Sequence, residues 1–122
     1  MKKETVLIAI YGTLRKGECN HHILKDACSI CNCTFSGVLY DTGWGYPTVV
    51  LEGGKPVVAE LAEISLEAWA RVDRLEGYPR LYDRLLTEVV LEDGSTVEAW
   101  VYVMQRLPER ARIIESGDWK EA

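Results

Sequence analysis

Residues 66–76, Leu-Glu-Ala-Trp-Ala-Arg-Val-Asp-Arg-Leu-Glu, form the one long stretch of helical periodicity, and they stand between two pairs of β-rich runs. Residues 48–51 and 56–64 flank Gly53-Gly54, and residues 82–91 and 96–104 flank Asp93-Gly94; both dipeptides have the composition of a tight hairpin. The helix carries its own boundaries: Ser65 as N-cap, Glu67 near the positive end, Gly77 as the residue after the last turn and Pro79 to block continuation. This order excludes the regular strand–helix alternation of a doubly wound fold. It predicts an α+β molecule, a mainly antiparallel sheet or small barrel with helices at its side.

The rest of the chain fits round that frame. Residues 6–11 read as a buried strand stopped by Gly12, and Asn20 as the cap of a short helix to about Ala27. Residues 29–40 read as a strand bent at Gly37, residues 41–47 as a loop rich in Gly and aromatics, and residues 108–119 as irregular structure with a short helical turn. With 122 residues and no repeat or linker, a single domain over residues 1–122 is expected. Fourteen basic against nineteen acidic residues give a net charge of −5, with the basic ones dispersed; this argues against nucleic acid or an anionic membrane as partner. The apolar run after Lys2-Lys3 is too short for an export signal or a membrane span, and Cys19, Cys28, Cys31 and Cys33 all fall in the first third of the chain, where they cannot staple the remainder. A cytoplasmic home is the expectation.

Several constellations could carry chemistry. Gly12 and Gly17 have the spacing of a phosphate-binding loop, but Glu18 stands where that loop needs Lys, which argues against nucleoside triphosphate binding; the segment fits equally a turn whose successive backbone N–H groups hold an anion and a plain turn closed by two glycines. His21 and His22 with the cysteines lack the spacing of a zinc site, and on a strand Cys31, Cys33 and Phe35 share one face as small hydrophobes. No metal is expected. Nothing marks a Cys19–His21 pair as activated.

Glu76 is the informative carboxylate. At about 100° per residue it falls between Trp69 and Val72 on the apolar arc of the helix, in the last turn, while Glu67, Arg71 and Arg74 lie on the opposite side. Burial there raises a carboxyl towards the range useful for proton transfer, with Trp69 as the neighbour expected to dry it. Pattern alone weighs this equally against Glu76 turning outward or pairing with Arg80 or Arg84.

Three motifs in order break the tie. Tyr11-Gly12-Thr13-Leu14-Arg15 after the first strand, Leu75-Glu76-Gly77-Tyr78-Pro79 with Tyr82 and Arg84 after the helix, and Ser116-Gly117-Asp118-Trp119 near the end together resemble the γ-glutamylcyclotransferase-like family. The resemblance runs from Val6 to Trp119. It implies a γ-glutamylcyclotransferase-like fold round a small mixed β-barrel, with one long and one or two short flanking helices and a pocket at its mouth. It implies Glu76 as the essential general acid/base and Tyr11, Gly12, Thr13 and Leu14 as the substrate loop. Tyr82 would line the pocket, with Arg15 and Tyr46 as adjacent substrate-binding residues. The implied reaction releases 5-oxoproline and a free amine from a small γ-glutamyl-amine or γ-glutamyl-amino acid, with no cofactor. A non-catalytic ligand-binding or partner-binding domain on the same fold is the competing reading.

Overall fold

The computed structural model describes residues 4–27 and 29–121. Its centre is β1 (Thr5–Ile10), which is apolar at successive positions because both of its faces are covered. Ala9, with Tyr11 just beyond the strand, faces a core inside the sheet with Phe35, Val57, Val89 and Val101. Ile8 and Ile10 face a second core, built with Ile64, Ala68, Val72 and Tyr102 under the helix. A two-residue repeat sends neighbouring side chains to opposite faces, so one strand serves both cores.

Five strands close on one another around the first core. β3 (Pro47–Ser65) pairs antiparallel with β1 from Thr5↔Ser65 to Ile10↔Glu60, and β1 pairs parallel with β5 (Thr96–Met104) at Ile8↔Trp100. β5 pairs antiparallel with β4 (Tyr82–Leu91), β4 meets β2 (Ser29–Asp41) at Cys33↔Leu91 and Thr34↔Val90, and β2 returns to β3. A short β6 (Arg112–Ile113) adds to the end of β2. The α+β class and the mixed sheet agree with expectation, and the strands are joined in a ring.

The helix α1 (Leu66–Glu76) has the predicted limits. Ser65 Oγ accepts from the Ala68 N–H at 3.1 Å, and Gly77 takes the left-handed conformation at φ 67° that a side chain would oppose. The β4–β5 hairpin also turns at Asp93-Gly94 as predicted.

Four local expectations are corrected. Gly53-Gly54 is not a hairpin turn: β3 runs through it, and the β2–β3 register jumps from Gly37↔Lys55 to Val38↔Val50, so residues 51–54 bulge out opposite the Gly37 bend. The real β2–β3 connection is the aromatic loop at residues 42–46. Asn20 caps no helix; the segment is one 3-10 turn, His21–Leu24, and the Asn20 amide donates instead to Thr13 Oγ1 at 2.9 Å. The tail contributes β6 as well as a 3-10 turn, Trp119–Glu121. Cys33 and Phe35 share the inner face, but Cys31 sits at the exposed start of that face; Cys28 lies outside the described residues.

Candidate active site

β1 ends where the two cores meet, and there the chain leaves a cavity of about 400 Å³. That is ample for a small ligand. Its floor is the Tyr11–Leu14 segment. Gly12 has to be glycine for a steric reason, since a Cβ there would come within 2.7 Å of Pro47 Cγ. The turn is closed by the Arg15 N–H donating to Gly12 O at 3.1 Å and by the Asn20 N–H donating to Thr13 O at 2.9 Å. Among the described residues, the N–H groups of Gly12, Thr13 and Leu14 donate to no protein acceptor, and all three residues line the cavity.

Glu76 enters from the last turn of α1. It is the one carboxylate lining the cavity, and no Lys, Arg or His joins it among the described residues. No hydrogen bond or ion pair engages its carboxyl among them. Burial alone pushes that carboxyl up from 4.5 to about 7. Two tyrosines face it. The Tyr11 hydroxyl donates to Tyr102 O at 2.5 Å and the Tyr82 hydroxyl to Pro47 O at 2.7 Å. Burial, reinforced by the nearby Glu76 and by their neighbours, drives both phenols well above their ordinary value, so they stay neutral. Tyr46 stacks obliquely on Tyr82 with ring centres 6.3 Å apart, and Trp44 extends the aromatic row to the surface. Thr42 holds that loop, its hydroxyl donating to Tyr46 O at 2.6 Å and accepting from the Trp44 N–H at 3.2 Å.

The structure thus gathers Tyr11, Gly12, Thr13, Leu14, Tyr46, Glu76 and Tyr82 round one cavity. Arg15 is absent from it. The guanidinium turns inward, bonding Glu60 at 3.2 Å and Asp118 at 2.7 Å, and so fastens the loop to β3 and to the Ser116-Gly117-Asp118-Trp119 segment. Trp69 does not dry Glu76 either. It packs on Trp100 with ring centres 5.7 Å apart and lies outside the cavity wall; Leu75, Leu81 and the tyrosines form the apolar surroundings. Arg84, weighed above as a partner for Glu76, pairs with Asp73 instead at 2.7 Å. Sequence reasoning missed Ala9, Ile10, Cys19, Asn20, Gly45, Pro47, Leu75, Leu81 and Tyr102 as wall residues. Leu75 carried a signal by its place beside Glu76 in the second motif, and Tyr102 by β5 alternation, which sets it opposite Val101 and hence on the face α1 covers.

A family model described as "Gamma-glutamyl cyclotransferase, AIG2-like" matches residues 8–121. The chain belongs to this family. Among its relatives, the γ-L-glutamyl-butirosin B γ-glutamyl cyclotransferase of Niallia circulans is 38% identical over 92% of this chain and 74% of that one. YkqA of Bacillus subtilis superposes with a TM-score of 0.78 at 30% identity, over 97% of this chain; the chain spans 40% of YkqA. A Pyrococcus horikoshii protein superposes at 0.70 and 30% identity, covering 95% of this chain and 91% of its own. Among the described residues of this family member no helix is long and apolar enough to cross a membrane.

Proposed function

We propose that this family member is a γ-glutamyl cyclotransferase that releases 5-oxoproline and a free amine from a small γ-glutamyl compound, with Glu76 as the single acid/base. The observation that carries the reading is Glu76 itself: a carboxyl without a partner among the described residues, raised to about 7 by burial, in the same cavity as three loop N–H groups that no described residue accepts from. A binding pocket gains nothing from burying an acid that no described protein group hydrogen-bonds or pairs with.

In the reaction the substrate's α-amine attacks its own γ-carbonyl carbon. The new C–N bond closes a five-membered lactam, and the bond to the leaving nitrogen breaks. Ionised Glu76 takes one proton from the attacking nitrogen and returns it to the departing one, so the step neither consumes nor releases a proton and needs no water. The loop N–H groups of Gly12, Thr13 and Leu14 hold the glutamyl carboxylate or the developing oxyanion. Confinement of amine and carbonyl in one conformation supplies the larger share of the rate, about 7–11 kcal/mol when reacting groups are well aligned. The relative that acts on γ-L-glutamyl-butirosin B supports this class of reaction.

Incubation of the purified protein with a panel of γ-glutamyl-amines and γ-glutamyl-amino acids, followed by chromatography for 5-oxoproline, tests the proposal. Release from at least one member is expected. Tight binding of such compounds without any 5-oxoproline would favour the non-catalytic reading.

A further inference from the structure

Because nothing among the described residues bonds to the Glu76 carboxyl, its aim depends on the backbone turn that carries it. That turn is gripped by Asp73 and Arg84, which lie outside the cavity wall, and by Tyr102, which lines it. Asp73, one turn earlier on the same side of α1, accepts from Arg84 Nη1 at 2.7 and 2.8 Å and from the Tyr102 hydroxyl at 2.5 Å. Its backbone carbonyl accepts the Tyr78 N–H at 2.9 Å, which closes the helix just after Glu76. The Arg84 guanidinium lies over the rings of Trp69 at 3.8 Å and Tyr78 at 4.2 Å, with Trp100 at 5.6 Å. The Trp69 indole N–H is buried there without an acceptor among the described residues. The same Tyr102 that binds Asp73 accepts the Tyr11 hydroxyl through its carbonyl, which ties the grip to the substrate loop.

We propose that Arg84, with Asp73 and Tyr102, is a positioning residue for catalysis: the aromatic-lined guanidinium fixes the last turn of α1 so that Glu76 points into the cavity. The proposal rests on the acid/base role of Glu76. Arg84→Lys keeps the charge but lacks the flat face that three rings hold. Tyr102→Phe removes one hydroxyl and changes no charge.

Steady-state kinetics against pH, on wild type, Arg84→Lys, Tyr102→Phe, Glu76→Gln and Arg71→Ala, test it, with thermal melting to establish that each is folded. Arg71 serves as control because its exposed pair with Asp26 steadies the same helix far from the cavity. Both positioning variants are expected to lose about 10- to 100-fold in kcat with KM changed less than about threefold, as slight misplacement does. Their acid limb should also move to lower pH, as water reaches the loosened carboxyl. The titratable side chains sharing the cavity, Tyr11 from the end of β1, Tyr46 and Cys19 from loops, Tyr82 from β4 and Tyr102 from β5, are uncharged in their protonated forms, and neither variant adds a charge. Arg71→Ala should keep wild-type kcat. Wild-type kcat and limb in folded Arg84→Lys and Tyr102→Phe, or an equal loss in Arg71→Ala, would overturn the proposal. Full activity in Glu76→Gln would instead remove the acid/base reading beneath it.

Discussion

A carboxyl raised to about 7 by desolvation alone leaves a trace in stability as well as in rate. The folded-state value of Glu76 lies near 7 against an ordinary 4.5, so the folded form holds a proton that the unfolded chain releases. The resulting contribution is fully present below about 4.5, declines as pH rises, and is gone once pH has passed through about 7. Glu76→Gln removes that liability. It should raise stability by about 1–3 kcal/mol at pH 8, discounted for the opening of the cavity to solvent, and by nothing near pH 4. Paired thermal melts at the two pH values check this. Gly12→Ala has the opposite character: its methyl must displace Pro47, so we expect at least a tenfold fall in kcat/KM and a lower melting temperature, read by assay and calorimetry. At this scale the sequence told which arc of the helix Glu76 occupies but not its neighbours. A helical wheel yields direction without distance, which is why Trp69 was assigned a drying role that Leu75, Leu81 and the tyrosines fill. Arg15 turns away from the cavity for a related reason the sequence hides: adjacency in a motif does not say which way a side chain turns, and the buried Glu60 lies 45 positions further along the chain.

Elements were legible where the determinants are local. Helix α1 follows from Ser65, its apolar spacing and Gly77, and loss of the Ser65 cap in Ser65→Ala should cost about 1 kcal/mol in chemical denaturation. The β4–β5 hairpin follows from Asp93-Gly94 in the same way. Gly53-Gly54 failed as a hairpin signal because pairing across the sheet overrode composition: β2 hydrogen-bonds on both sides of residues 51–54 and keeps β3 one strand. The tail was read as irregular because its fixing partners are remote; the Val58 N–H donates to Gly117 O at 2.8 Å, and Asp118 bonds Arg15. These contacts assign Asp118 a structural role. Asp118→Ala should destabilise by about 1–3 kcal/mol, since Arg15 keeps Glu60, while kcat of the folded variant stays within about threefold of wild type. A collapse of kcat in fully folded protein would return Arg15 to the substrate-binding set.

The whole molecule places its chemistry by a simple device. One strand buried on both faces serves two cores, and where that strand stops, neither core closes; the gap is the cavity. Ring closure by β2 with β4 is invisible in the sequence, because Cys33↔Leu91 and Thr34↔Val90 join segments far apart in the chain with no local signal. The ordered set of three motifs carried the family, and the fold places two of them at the cavity and the third behind it as a brace. Among the described residues Glu76 is the sole acid facing that gap, and the most direct test of its role is the pH dependence of 5-oxoproline release by wild type and Glu76→Gln on one accepted γ-glutamyl substrate. The wild-type rate should climb as pH rises through about 7, where Glu76 ionises, and Glu76→Gln should lose at least about a hundredfold at every pH. A Glu76→Gln enzyme with the wild-type rate and the same rising limb would contradict it.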